Sequence, residues 1–326
     1  MRNIIKKLIL EEIGDTKEEY RLFGENLVNG LRKDDKFKTP FSSQRDLDER
    51  SDYFESKYNL KKIGRGFFRV VYQTENPEIV LKFATTNKSQ IVRGGKITSA
   101  MECNLQEVKR FNRYPEFFPK SFAYDPEGKW LLVEKVENIV TNNKELNSAI
   151  LSNFSSFKLL KEETINQIRN YIGLMYKGLA TKNLEDQYEL YYKIRKEVDS
   201  FFNEDMTLNY FYNFLKKSES DIEYEKALFD IIHWTIKWCC DEIVFYSHII
   251  KDADDDITKK IVRSLKNPIV KQNIANKSFN HLSRDRKLKR FYNMIKWEKI
   301  PIREIRKENI GIDSNGNIKI IDATIL

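Results

Sequence analysis

Lys82 stands in the stretch EIVLKFA, flanked by Val80, Leu81 and Phe83. A lysine held on one face of a strand among apolar neighbours has two readings. It is an edge residue whose ammonium reaches water, or a fixed charge aimed at phosphates. In the second role it needs a carboxylate to hold it, and the next helical stretch offers Glu102 and Glu107. Five positions apart, these two sit on different faces of a helix, so at most one turns inward. Glu107, nearer the middle of the helix in NLQEVKRF, is the better placed. Upstream, IGRGFFRVVY sets Gly64 and Gly66 at a strand-turn-strand pattern, where missing side chains let backbone N–H groups approach a phosphate. A dinucleotide-binding loop is excluded, because Arg69 fills the third glycine's place and the strand residues Val70, Val71 and Tyr72 come where a helix would have to begin. Alone, such a glycine pair is also an ordinary turn.

A second group of polar residues lies in REIRKENIGIDSNGNIKIID, Arg303 to Asp322. Ile310, Ile312, Ile318 and Ile320 alternate around Asn315-Gly316, the signal for a hairpin with a two-residue connection. A hairpin fixes Asp322 at the end of a small sheet, and the loop before it fixes Asn309.

These residues must be carried by three regions of different texture. Up to about Tyr53 the apolar spacing is helical, with Ile4, Ile5, Leu8 and Ile9 and then Leu22, Leu27 and Leu31, closed by the polar link FKTPFSSQRD. This part, residues 1–53, reads as an accessory segment. Residues 54–138 hold short runs of period two, RVVYQT, EIVLKFA and KWLLVEKV, with a helical ITSAMECNLQEVKRFNRY before the last of them. Residues 139–326 read as helix upon helix as far as Trp297, ending in the polar loop and hairpin.

Composition sets outer limits. In 326 residues, 40% are apolar and 33% charged, with few glycines and prolines, which describes an ordered chain with a real core. Three cysteines, two of them adjacent, make a poor disulfide framework and suit a reducing cytoplasmic setting. No apolar run approaches about 18 residues, so no membrane partner is expected, and the first residues lack the pattern of a secretory signal. The net charge of +8 suits phosphate-bearing partners without selecting one.

In order, a glycine turn, a strand lysine, a helix glutamate, the hinge-like LLVEKVEN, a loop asparagine and an aspartate after a hairpin succeed one another along the chain. This order resembles the protein-kinase-like superfamily, over Tyr58–Val136 and Pro301–Leu326. The resemblance implies an α+β fold, with a small antiparallel-sheet N-lobe carrying one main helix and a large, mostly helical C-lobe. It implies ATP and Mg²⁺ as cofactors. Gly64, Gly66, Lys82, Glu107 and Glu134 would serve the nucleotide, and Asn309 and Asp322 the metal. The family's catalytic loop reads H-R-D-L-x-x-x-N; here IREIRKEN puts Glu304 in the place of the base and Arg306 near the transferred phosphate.

The departures bear on activity. Glu304 keeps a carboxylate of nearly the usual acidity but reaches about 1 Å further, and misplacement of that order can lower a rate about 10²-fold. Arg306 keeps the charge of the lysine that kinases carry there and changes its geometry. Only Ala323, Thr324, Ile325 and Leu326 come after Asp322, so the activation loop and peptide platform of typical kinases are expected to be missing. In that respect the chain is similar to bacteriophage-encoded kinase-like proteins that end just after the metal-binding aspartate, which implies a host cytoplasm as its setting.

Other motifs carry less. His233, His248 and His281 lack metal-ligand spacing with the cysteines, and Cys239-Cys240 in a Trp-rich helix reads as core. DADDDITKKIVR has Ile257 and Arg263 where a calcium loop needs glycine and glutamate. RDRKLKRFYNMIKW interleaves bases and aromatics as a nucleic-acid patch would, but a solvated helix face explains it as well. Three functions are therefore expected to compete: an ATP-dependent phosphotransferase acting on a hydroxyl of a protein substrate, a nucleotide-binding pseudokinase that binds a partner protein, and a basic nucleic-acid-binding protein.

Overall fold

The structure, a computed structural model, describes residues 18–322 except 67, 86–89, 92–96, 137, 179–191, 193–194, 197–198, 200–201 and 247–254. By contacts these fall into two compact units. The first takes in the described residues up to Ile139 together with those from Glu304 onward, and the second runs from Val140 to Arg303.

The first unit is built on a five-stranded antiparallel sheet. Its strands are β1 (Lys61–Arg65), β2 (Arg69–Gln73), β3 (Ile79–Ala84), β6 (Ser121–Tyr124) and β7 (Trp130–Glu134), in the order β1-β2-β3-β7-β6. Two short strands, β4 (Gln90–Ile91) and β5 (Ile97–Thr98), pair only with each other. All six residues of β3 are buried. A strand buried on both faces needs cover on both, and its apolar run, interrupted only by Lys82, is the sequence mark of that state.

One face is covered by helices α1 (Glu18–Lys33) and α2 (Gln44–Tyr58), with a 3₁₀ turn at Asp35–Phe37. Leu27, Val28, Leu31, Phe37, Phe41, Leu47 and Phe54 share one core with Tyr72, Leu81, Phe83, Trp130 and Leu132 of the sheet. From Glu18 on, the segment read as accessory thus forms a layer of the first unit. Ser43 caps α2 by accepting the Asp46 N–H (3.1 Å), so the polar link expected to close the segment already carries the start of a helix that continues through Tyr58. Asp34 ties the layer together, accepting from Tyr53 (2.5 Å), Lys57 (2.7 Å) and Tyr58 (2.8 Å).

The other face carries α3 (Ala100–Arg113), capped by Ser99 through the Glu102 N–H (3.1 Å). The β6–β7 turn is fitted under this helix. Asn104 donates to the Gly128 carbonyl (2.8 Å), and Gly128 has φ +84°. A Cβ there would lie 2.2 Å from the Met101 carbonyl oxygen, so both conformation and contact demand glycine.

A second, three-stranded sheet joins β8 (Asn138–Ile139) to the hairpin of β9 (Ile310–Ile312) and β10 (Ile318–Ile320), in the order β10-β9-β8. The hairpin differs in detail from the expectation of a two-residue connection. Asp313 N–H donates to Asn317 O (3.0 Å), which closes a three-residue connection, and Gly316 has φ +77° while Asn315 does not adopt positive φ. The Asp313 side chain explains the extra residue: it accepts the N–H groups of Asn315 (3.0 Å) and Asn317 (2.8 Å), favouring a type I turn closed by one left-handed glycine.

The second unit is helical in its described residues: α4 (Asn143–Asn153), α5 (Ser155–Gly178), α6 (Glu204–Lys216), α7 (Tyr224–Tyr246), α8 (Asp255–Lys266), α9 (Pro268–Leu282) and α10 (Arg286–Glu298). Its core is aromatic, with Phe154, Phe211, Phe214, Phe291 and Tyr292 in contact. The molecule is thus mixed α+β, a small antiparallel sheet with many helices. Among the described residues no helix is long and apolar enough to cross a membrane.

Candidate functional site

Register determines which side chains of the sheet face α3. Residues directly opposite in an antiparallel pair share a face, and Val71 lies opposite Lys82 while Arg69 lies opposite Ala84. Arg69 and Lys82 therefore point the same way, toward α3. Both are buried, at 5% and 8% exposure, and both meet Glu107, which is 1% exposed. Arg69 Nη1 lies 2.7 Å and Lys82 Nζ 3.0 Å from the same oxygen, Glu107 Oε2. Glu107 Oε1 is buried with no hydrogen-bond partner. Glu102, the alternative partner for Lys82, sits in the first turn of α3 and accepts from Gln106 instead (3.2 Å).

The hairpin brings its residues to the same cluster. Ile320 N–H donates to the Phe117 carbonyl (2.8 Å), and the buried Lys319 ammonium donates to the carbonyls of Pro115 (2.7 Å) and Phe118 (3.2 Å). Lys319 also lies 3.6 Å from Asp313. Burial works against the Asp313 carboxylate, but the Asn317 N–H and side-chain amide and the Lys319 charge outweigh it and hold its pKa below the usual value. So anchored, the hairpin presents Ile321 and Asp322. Lys82 Nζ donates to the Ile321 carbonyl (2.8 Å), and Arg69 Nη2 lies 2.7 Å from Asp322 Oδ1. Burial disfavours the charge of Arg69, yet Glu107 and Asp322 beside it keep its pKa above the ordinary arginine value.

Asn309 joins through the backbone, its carbonyl accepting the Ile321 N–H (2.9 Å). Its side-chain amide donates to the carbonyl and to Oε2 of Glu304, both at 3.1 Å, and both side chains are buried. Glu304, Asn309, Asp322, Lys82 and Glu107 are thus linked through direct contacts and one buried arginine.

Four expected residues lie apart from this cluster. Arg306 is exposed and stands 3.8 Å from Glu308. Glu134, at the end of β7, accepts the Lys120 N–H (3.0 Å). Gly64 lies in β1, and Gly66 closes the β1–β2 turn by donating its N–H to Arg69 O (2.8 Å). A Cβ on either glycine would meet nothing nearer than 3.9 Å or 3.7 Å, so the fold itself does not require glycine there.

Sequence reading missed Arg69, which stood only as a departure from a glycine pattern. Its signal was phase: in a hairpin paired through β2 and β3, an arginine two positions before Val71 falls on the face of Lys82.

Asn309 and Asp322 were expected to hold Mg²⁺. They do lie at one end of the hairpin, but the donor set differs from that expectation. Asp322 Oδ1 is engaged by Arg69, the Asn309 amide nitrogen by Glu304, and among the described residues no three His, Cys, Asp or Glu gather as metal ligands. Lys82, Arg69, Glu107 and Asp322 together carry two charges of each sign, and with Glu304 the linked residues are net −1; the Asp322 carboxylate is already matched by Arg69, with which a resident divalent cation would have to compete. No catalytic step is assigned to one.

The remaining motifs of the sequence lie as follows where they are described. Cys103, Cys239 and Cys240 are free and buried, and burial pushes the thiols of Cys103 and Cys240 up to about 11 and 12. In the basic stretch of α10, Phe291 and Tyr292 are in the core, Lys289 pairs with Glu225 and Lys296 with Glu223. The stretch expected as helix from Glu185 to Phe202 and the start of DADDDITKKIVR, residues 252–254, lie largely outside the described residues. No family model matches the chain, and no curated protein matches its sequence.

Proposed function

We propose that the sheet-bearing unit is a protein-kinase-like nucleotide-binding domain, and that its activity is transfer of the γ-phosphoryl group of ATP to a hydroxyl of a protein substrate. The observation that carries this reading is the buried contact of Lys82 in the central strand with Glu107 in the helix packed on it, 3.0 Å apart. A lysine desolvated there and held by a carboxylate is a fixed charge, and Gly64 and Gly66 place no side chain on the β1–β2 connection that precedes Arg69 on the same sheet.

ATP, when bound, supplies the γ-phosphoryl group, and ADP is the leaving group. Lys82 and Arg69 meet the negative charge of the phosphates, Glu107 orients both cations, and Glu304 takes the proton of the acceptor hydroxyl. Asn309 holds Glu304 in place through its amide. A positioned base contributes typically about 10²–10⁴-fold. Arg306, at the surface with Glu308, is left out of the chemistry. Free buried thiols are in keeping with a reducing cytoplasm.

The test is transfer of labelled γ-phosphate from ATP, to the protein itself and to a bacterial lysate, beside Glu304→Ala and Lys82→Met. Label that falls at least about 10²-fold in both variants supports the reading. A wild-type protein saturated with ATP that transfers nothing overturns the enzymatic part. The pseudokinase reading would then stand, and the contact of Asp322 with Arg69 favours it, since it occupies a carboxylate that a kinase would need.

A further inference from the structure

We propose that Arg69, and not a divalent cation, is the positive charge that serves Asp322, so that this site takes a nucleoside triphosphate without a metal ion. The inference rests on the nucleotide-binding reading above and deepens it.

Asp322 is the most exposed member of the cluster, with 49% of its side chain accessible, and a bare carboxylate there would repel an approaching polyphosphate. Arg69 removes that charge from within the fold, its Nη2 2.7 Å from Asp322 Oδ1. The guanidinium is well suited to the place. It stays charged at every accessible pH and presents a planar fork of donors matched to carboxylate and phosphate. It is also fixed at its base, because Gly66 N–H closes the turn on the Arg69 carbonyl (2.8 Å).

A metal ion bound through Asp322 Oδ1 would have to displace this contact. Of these two carboxylates Arg69 would then keep Glu107, whose engaged oxygen already serves Lys82. Removing one partner of a buried cation is strongly unfavourable. The fold thus opposes metal entry at the carboxylate that would have to receive it. Without Arg69 the set of Lys82, Glu107 and Asp322 would be net negative and would attract a cation.

The experiment is a titration of a fluorescent ATP analogue, followed by anisotropy, in EDTA and in excess Mg²⁺. It uses the full chain and the variants Arg69→Met, Arg69→Lys and Asp322→Asn, each checked by thermal unfolding. Wild type is expected to bind with dissociation constants within about threefold in the two buffers. Arg69→Met is expected to lose tenfold or more in EDTA and to recover in Mg²⁺, because Asp322 is released to the metal; Arg69→Lys, which keeps a cation, is expected to lose less in EDTA. Asp322→Asn, which keeps a hydrogen-bond acceptor beside Arg69 and whose folding the thermal unfolding checks, is expected to stay within about threefold of wild type in both.

Wild-type binding that falls tenfold or more in EDTA overturns the proposal, as does a tenfold loss in Asp322→Asn confined to Mg²⁺, since either makes Asp322 a metal ligand. Should Arg69→Met not fold, these two results decide alone. No binding by folded wild type in either buffer overturns the nucleotide reading itself and this inference with it.

Discussion

Two buried cations converge on one oxygen of Glu107, and that arrangement ranks the consequences of substitution. Glu107→Gln leaves Arg69 and Lys82 facing a neutral amide, and stranding buried charge typically costs about 3–5 kcal/mol. Lys82→Met removes one cation and keeps an aliphatic chain of similar volume, while the pair of Arg69 with Glu107 survives. We expect its stability to stay within about 1.5 kcal/mol of wild type. Urea unfolding midpoints of the two variants check the order, and a Lys82→Met protein as unstable as Glu107→Gln would mean that the lysine, not the glutamate, holds the cluster. What could be read at this scale from the sequence was chemical type. A lysine in an apolar strand and a glutamate mid-helix announce themselves, because burial of either demands a partner. Arg69 did not, because its meaning depends on register, which is set by hydrogen bonds between strands and not by neighbours in the chain.

At the scale of elements, the sheet is held on both sides by contacts that can be tested separately. Under α3, Gly128→Ala forces a left-handed residue and a Cβ 2.2 Å from the Met101 carbonyl, and we expect a loss of about 1–3 kcal/mol in chemical denaturation. Nucleotide binding should weaken with it, since α3 carries Glu107. On the opposite face, Asp34 gives the α1–α2 layer a dependence on pH. Burial raises its pKa, but Lys57, Tyr53, the Lys36 N–H and Tyr58 outweigh burial and hold it well below the unfolded value of about 3.9. A carboxylate depressed in this way stabilises fully above its unfolded pKa, and the contribution fades as pH falls through the folded value. Wild type should therefore lose stability between pH 5 and pH 2, and Asp34→Asn, weaker by about 2 kcal/mol at pH 7, should lose less over that interval. An equal acid slope in both proteins would assign the effect elsewhere. The two-sided cover of β3 was legible in EIVLKFA, whose apolar residues leave no solvent face. The cover itself was not, because the amphipathic spacing of Leu27 and Leu31 says that a helix must bury a stripe and does not say against what. Likewise Asn315-Gly316 announced a hairpin, while the count of residues in its connection was decided by the Asp313 side chain.

The whole molecule divides its sequence unevenly between its units. The helical unit is one continuous stretch, Val140–Arg303, whereas the sheet-bearing unit is made from two separated pieces of chain. The order of elements in the sheet-bearing unit was legible, since short strands around one helix pattern are distinct from the unbroken helical spacing of residues 140–297. The arrangement of the helices was not. Apolar stripes along α5, α7 and α9 fit many packings, and aromatic residues such as Phe154 and Phe291 reveal their neighbours only in three dimensions. The division has a consequence in time. Arg69 and Asp322 are 253 positions apart, and Lys82 and Ile321 are 239 apart, so the cluster is among the most non-local features of the chain. Strands β1, β2 and β3 are neighbours in sequence and can pair early, whereas the hairpin must find them across the whole intervening unit, against the entropy of closing a long loop. Refolding should then proceed in an order. In a protein that keeps Trp130 as its one tryptophan, fluorescence from the sheet should recover first, and capacity to bind nucleotide should return in a slower phase. A refolding chain would thus pass through a stage at which the sheet is formed and the molecule is still inactive.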